Sequence, residues 1–118
     1  MIDKKPTISI ITVVYNGSKH IEPTILSIIK QTYNNIEYIV IDGGSTDGTI
    51  EIIKKYESSI SYWNSEKDKG IYDAMNKAIE LVNGDWVIYI NSGDKLASAD
   101  LLSSITGILT DSNTVYYG

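Results

Sequence analysis

The sequence predicts an α/β domain with a mainly parallel sheet and helices on both faces. Three observations carry this. Short β-branched apolar runs alternate with stretches of helical periodicity in the order β-α-β-α-β-α-β-α-β, and such alternation implies parallel strands joined by right-handed crossovers. The first run is apolar on both faces toward its end, as in a strand covered on both sides. The runs stop at Asn, Gly, Ser and Asp, residues that turn a chain out of a sheet. A length of 118 residues is enough for one domain with one sizeable core.

Residues 7–14, Thr-Ile-Ser-Ile-Ile-Thr-Val-Val, read as the first strand, ended by Tyr15-Asn16-Gly17. Ser18 is the expected N-cap of a helix over 19–31, with Ile21, Ile25, Ile28 and Ile29 on its apolar face. Pro23 suits that helix only near its start. After the connector Gln31–Asn35, Ile36 to Ile41 form the second strand. It ends at Asp42-Gly43-Gly44-Ser45-Thr46-Asp47-Gly48, where paired glycines permit a tight turn and close approach to a ligand. Ser45 or Thr46 then caps a helix over 47–57 whose buried stripe is Ile50, Ile53 and Tyr56.

Residues 60–64 read as a short third strand and Ser65–Lys69 as a charged loop. A third helix covers Gly70 to Val82, with Ile71, Met75, Ala78, Ile79 and Val82 inside and Asn83-Gly84 as a left-handed C-cap. The unbroken run from Trp86 to Ile90 is too short for a buried helix and suits a buried strand. It stops at Asn91-Ser92-Gly93-Asp94, a sequence that favours a turn and also suits a helix-capping loop. A fourth helix over 98–109 and a fifth strand over 114–117 complete the order. Trp63 and Trp86 are expected in the core and His20 on the surface. The final Val115-Tyr116-Tyr117-Gly118 is core-like and predicts a polypeptide that continues past it.

Composition narrows the function. A net charge of −5 argues against a broad nucleic-acid surface, which needs clustered Lys and Arg. The absence of cysteine excludes disulfides and thiolate metal sites, and a lone His20 leaves no imidazole-based zinc site. Neither a signal peptide nor a membrane span is evident, so a cytoplasmic protein is expected.

Laid parallel, the strands bring Tyr15, Asn16, Asp42, Ser45, Glu66, Asn91, Ser92 and Asp94 to one rim, the region where open α/β sheets bind ligands. Nucleotide recognition suits these groups, because carboxylates accept from base N–H or ribose hydroxyls and amides both donate and accept. A diphosphate calls for Mg²⁺ or Mn²⁺, and Asp94 offers a carboxylate ligand. No Gly-x-x-x-x-Gly-Lys-Ser/Thr loop occurs and no Gly-x-Gly-x-x-Gly follows a strand, which weighs against ATPase and dinucleotide readings.

Four stretches then resemble the family 2 glycosyltransferases, whose Rossmann-like fold is the nucleotide-sugar-binding GT-A type. They are Val13-Val14-Tyr15-Asn16; Ile39-Val40-Ile41-Asp42 through Thr49; Lys69-Gly70-Ile71-Tyr72-Asp73-Ala74-Met75-Asn76-Lys77; and Asn91-Ser92-Gly93-Asp94, which falls where an Asp-x-Asp metal motif belongs. The match runs over residues 6–118, and its wording is closest to bacterial surface-polysaccharide enzymes. The resemblance implies a UDP-sugar or similar donor, a divalent metal, inversion at the anomeric carbon and a saccharide or lipid-linked acceptor. It places Val14, Tyr15 and Asn16 beside the nucleotide and Asp42 at the uracil or ribose. Asp73 and Asn76 fall near the sugar and diphosphate, Asn91 and Ser92 in the same site, and Asp94 on the metal.

Two departures stand out. Gly43 occupies a position where the family often has a second acid, and Asn91 and Gly93 replace acids of the metal motif, leaving Asp94 as its only carboxylate. The general base that inversion needs belongs, in this family, to a later half of the domain. The chain is therefore expected to be the donor-binding part, able to bind a donor but poor at transfer. Membrane contact, if any, would come from sequence beyond it. A signalling receiver domain shares the alternation, but it needs acids after the first strand, where Tyr15-Asn16-Gly17 stands. A non-catalytic nucleotide-binding or assembly module is the remaining alternative, favoured by the thin metal motif.

Overall fold

The computed structural model describes residues 6–67, 76–94, 96, 101–102 and 115–117. Strands β1 (Ile8–Val14), β2 (Ile36–Asp42), β3 (Tyr62–Ser65), β4 (Trp86–Tyr89) and β5 (Val115–Tyr117) form one parallel sheet in the order β3-β2-β1-β4-β5. Helices α1 (Ile21–Ile29) and α2 (Thr49–Lys55) follow β1 and β2. Residues 76–79 are helical and lead to β4, and 101–102 are helical between β4 and β5. The parallel, alternating architecture is the one the sequence predicts. Ile71, Met75 and most of the fourth helix lie outside the described residues.

The chain steps outward from β1 to β2 and β3, then returns to lay β4 on the other side of β1. β1 is thus flanked by strands of opposite progression, and its carboxyl end marks the switch point where doubly wound sheets open a crevice. In register, Val14 lies beside Asp42 and Ile11 beside Tyr89.

Alternation along the strands divides the core in two. Ile8, Ile10 and Val14 join Tyr38, Val40 and Ile88 against Ile21, Ile25 and Ile28 of α1 and Ile53 of α2. On the other face Ile11, Ile39, Ile41 and Tyr89 pack against Ala78. Each isoleucine so enclosed is worth about 1.5–3 kcal/mol, which explains why the central strand tolerates few polar groups. Those it has are paired: Thr12 and Tyr38 share a hydrogen bond of 2.8 Å between their hydroxyls, in surroundings whose burial pushes the Tyr38 phenol pKa upward. Trp86 is buried and His20 exposed, as expected, whereas Trp63 is only half-buried and donates to Glu57.

Several local expectations are corrected. α1 begins at Ile21, and Ser18 is not its cap: the Gly17 carbonyl accepts from the amides of His20 and Ile21. Pro23 then sits in the first turn, where an amide has no intrahelical acceptor and its loss costs nothing. α2 begins at Thr49, and neither Ser45 nor Thr46 caps it. Gly48 precedes it at φ +100°, and Asp47 accepts from the Thr49 amide at 3.1 Å. Ile79 is 42% exposed rather than interior.

Asn83-Gly84 does not form a left-handed cap either, since neither residue has positive φ. A Cβ on Gly84 would lie 2.4 Å from Ser9 Oγ, 2.8 Å from Ser9 N and 2.9 Å from Thr7 O, so glycine is needed for close passage over β1. The passage is fastened by Gly84 N donating to Ser9 Oγ and by Ser9 Oγ and Asn83 N donating to Glu37. Gly84→Ala is expected to lower the unfolding free energy by about 1–3 kcal/mol, as overpacking against fixed backbone does. A reduced urea midpoint at unchanged slope would report it, and an unchanged midpoint would show that the backbone moves aside freely.

Candidate functional site

The end of β2 is built around one buried carboxylate. Asp42 is fully buried, and its oxygens accept four hydrogen bonds: from Gly44 N at 3.0 Å, Ser45 N at 2.8 Å, Ser45 Oγ at 2.6 Å and Ser65 Oγ at 2.7 Å. A charge removed from water needs this degree of pairing. The loop reverses sharply through Gly44 at φ +89°, where a side chain would be strained. Asp42 therefore faces its own loop. All four of these hydrogen bonds come from its own loop and from β3.

That loop in turn holds the loop after β1. Five hydrogen bonds join them: Gly43 N to Val14 O, Asn16 N to Ser45 Oγ, Thr46 N to Asn16 Oδ1, Gly17 N to Thr49 Oγ1 and Ser18 N to Asp47 Oδ2. Asn16 adopts φ +49°, a left-handed conformation that asparagine tolerates better than most residues. The consequence falls on its neighbour: Tyr15 is 65% exposed, an aromatic ring in solvent at the end of the central strand.

The third wall comes from β4. Ile90 N and Ser92 N donate to Ile11 O and Val13 O, carrying the chain along β1 beyond the last paired residue. Asn91–Asp94 then closes a turn, with Asp94 N donating to Asn91 O at 2.9 Å and Gly93 at φ +99°. A type II turn needs positive φ at its third position, so glycine there has a conformational reason. Ser92 nests against Gly17, where a Cβ would stand 2.6 Å from its Oγ. Asn91 Oδ1 and Ser92 Oγ are buried without a hydrogen-bond partner among the described residues. Such atoms are uncommon in folded chains and mark places where a further group completes the bonding.

Tyr15, Asn16, Ser45, Ser92 and the Asn91–Asp94 turn thus converge at the β1/β4 switch point. Glu66 does not join them, since its carboxylate pairs with Lys77 at 2.8 Å on the surface. Asn76 is exposed on the helical residues 76–79, and Asp73 lies outside the described residues. Sequence reasoning did not assign roles to Gly17, Thr49 or Ser65, which buttress the loops. Their signal is weak, because a buried hydroxyl beside a strand end looks like any turn residue.

Asp94 is the carboxylate at this rim that a divalent cation would meet. Asp94 is exposed and its carboxylate accepts no hydrogen bond among the described residues, so it is free to ligate. No cluster of three or more acidic, His or Cys side chains is present among the described residues. This fits magnesium-type binding, in which one or two carboxylates serve beside substrate phosphates and retained waters.

The profile of Glycosyl transferase family 2 matches residues 9–118, and the chain belongs to that family. An uncharacterized glycosyltransferase of Mycobacterium tuberculosis is 36% identical over 111 residues, covering 93% of this chain and 42% of that protein. TuaG of Bacillus subtilis, provisionally named a teichuronic acid biosynthesis glycosyltransferase, is 38% identical over 98 residues, covering 80% of this chain and 39% of its own. Among solved structures, Staphylococcus aureus TarS 1–349 in complex with UDP-GlcNAc superposes with a TM-score of 0.80 at 25% identity, over 87% of this chain and 31% of that one. The chain thus spans about two-fifths of the length of these curated relatives, and its fold is the Rossmann-like GT-A type.

Two outcomes are expected at the loops. Asp42→Ala leaves several buried donors unsatisfied and should cost about 2–4 kcal/mol in urea unfolding, a loss that rules out a role confined to ligand contact. Asp47 accepts first from Thr49 Oγ1 and also from the amides of Ser18 and Thr49, which hold its carboxyl down at about 2. A depressed folded-state value contributes stability that is present above the unfolded value and lost as pH falls through the folded one. Asp47→Asn should therefore flatten the acid limb of Tm against pH between about 4 and 2; an unchanged limb would refute the assignment.

Proposed function

We propose that this chain is the nucleotide-sugar-binding part of an inverting glycosyltransferase. It uses a UDP-sugar and serves a saccharide or lipid-linked acceptor in surface-polysaccharide biosynthesis. The observation that carries the reading is the convergence, at one switch point, of an exposed tyrosine with two buried oxygens and an exposed carboxylate that have no hydrogen-bond partner among the described residues. Family membership supports transfer chemistry. The UDP-GlcNAc bound by TarS and the teichuronic acid in the name of TuaG favour a uridine donor and a polysaccharide product.

In this reading the Tyr15 ring stacks on the base, an arrangement its flat apolar face and exposed position suit. Val14, whose side chain is buried in the core beside α1, borders the site through its main chain, the carbonyl accepting from Gly43 N. Asn16 spends its Oδ1 on Thr46 N and keeps its Nδ2 hydrogens as donors to the nucleoside. With Gly43 in place of an acid and Asp42 turned inward, the base meets the backbone of the loop over 43–45. Asn91 Oδ1 and Ser92 Oγ accept or share protons with ribose or sugar hydroxyls, which completes their bonding. Asp73 and Asn76 are assigned to the sugar and diphosphate in this reading. Asp94 holds Mg²⁺ or Mn²⁺, which when bound neutralises charge gathering on the departing diphosphate.

The general base for the acceptor hydroxyl is assigned to sequence outside this chain. No helix among the described residues is long and apolar enough to cross a membrane. Work at the cytoplasmic membrane face would then rest on a lipid-linked acceptor or on other parts of the protein.

Calorimetric titration of UDP with and without Mn²⁺ tests the reading. Binding should depend on Mn²⁺, weaken at least about tenfold in Asp94→Ala, as loss of a metal ligand implies, and weaken in Tyr15→Ala with or without metal. A folded protein that binds no UDP in either condition would refute it.

A further inference from the structure

Helix α1 carries a second, polar stripe beside its isoleucines. Thr24 and Ser27, three residues apart, share one face of α1, and Gln31, two residues past the end of the helix, continues the line. Thr24 is fully buried, Gln31 is buried and Ser27 half-buried. Each is hydrogen-bonded to the main chain that follows β4. Thr24 Oγ1 donates to Asp94 O at 2.6 Å and accepts from Gly93 N at 3.1 Å. Ser27 Oγ accepts from Leu96 N at 3.1 Å, and Gln31 Oε1 accepts from Leu102 N at 3.1 Å. Two of the three are also tied to the helix, Ser27 Oγ donating to Thr24 O and Gln31 Nε2 to Ser27 O.

From this we infer that α1 is a rail that fixes the loop carrying Asp94, and that Thr24 is a positioning residue for that carboxylate. The inference rests on the proposed role of Asp94 as the metal ligand. The physical case is local. Asp94 stands alone as a carboxylate in its turn, so no neighbouring acid can compensate for a displaced one. Its carboxylate accepts no hydrogen bond among the described residues, so the backbone of the turn is what sets where the oxygens point. That backbone is held at Gly93 N and Asp94 O by one hydroxyl, and Gly93 is the residue whose positive φ makes the turn. Supports of this kind around a ligating carboxylate set affinity nearly as strongly as the ligand does. A buried threonine in a helix otherwise lined by isoleucine is costly unless its hydroxyl is used, and here its partners all lie at the turn or in the preceding helical turn.

The test uses Thr24→Val, which keeps the shape and removes the hydroxyl, with Thr24→Ser as the conservative variant. Two quantities are read: amide hydrogen exchange at Gly93 and Asp94 against Ile10 and Ile11 of β1, and Mn²⁺ uptake in the presence of UDP followed by the free-Mn²⁺ electron paramagnetic resonance signal. Thr24→Val should speed exchange at Gly93 and Asp94 about tenfold, as the loss of a buried hydrogen bond allows, and leave Ile10 and Ile11 unchanged. Mn²⁺ affinity should fall about tenfold or more, and Thr24→Ser should restore both.

Unchanged exchange at Gly93 would overturn the rail. Faster exchange with unchanged Mn²⁺ affinity would overturn the positioning role. If the wild-type protein takes up no Mn²⁺ with UDP, the proposed function fails while the exchange measurement still decides whether the rail holds the loop. Should Thr24→Val not fold, Ser27→Ala serves instead: it should speed exchange at Leu96 and weaken Mn²⁺ uptake, and failure of either change counts against the inference.

Discussion

The buried carboxylate of Asp42 governs this rim of the sheet. An ionised group without water is expensive, by several kcal/mol even after relaxation, and the chain answers with four donors drawn from its own loop and from β3. Those donors can reach it only if residues 43–45 wrap tightly over the strand end. Ser45, fixed by that wrapping, then accepts from Asn16 N and so sets the loop after the central strand. The exposed position of Tyr15 is the last step of this sequence of constraints. The acid shapes the rim from beneath, through the loops it holds.

Helix α1 shows how one element serves two purposes with two stripes. Its isoleucines fill the core on one side, and its hydroxyl and amide groups take up the main-chain donors and acceptors of the segment leaving β4. That segment is irregular, and irregular backbone near a core needs partners that regular structure would otherwise supply. The cross-link from Glu22 to Tyr56 and Lys55, which holds the Glu22 carboxyl below its usual range, ties the start of the same helix to α2. The two loops and the β4 turn are therefore referenced to a common frame.

Strands and their order in the chain were legible in the sequence, because runs such as Ile8–Val14 and Trp86–Ile90 have no helical periodicity to compete with. So was the rim of polar residues. Helix starts were not legible, since Ser18 and Thr46 look like caps but are recruited by Asp47 and Asn16 from the opposite loop. Gly84 misled for a related reason. A glycine after a helix suggests a left-handed cap, and the close passage over Ser9 that actually demands it joins residues 75 positions apart. The inward turn of Asp42 was hidden in the same way, as an acid after a strand gives no sign of which side its donors will come from. Local propensity speaks for residues within a turn or two; these features are set by contacts across the sheet.

The placement of β4 has a consequence for biosynthesis. One edge of β1 is matched by β2 soon after it is made, but the other waits for Trp86 to pair with Ile8, 78 positions later. At translation rates of about 5–20 residues per second, that edge stays open for roughly 4–16 seconds. During this interval a run rich in β-branched residues presents free amides and carbonyls to anything extended nearby, the condition under which strands pair with the wrong chain. The same topology that opens a crevice at the switch point thus leaves the central strand paired on one edge alone until β4 arrives.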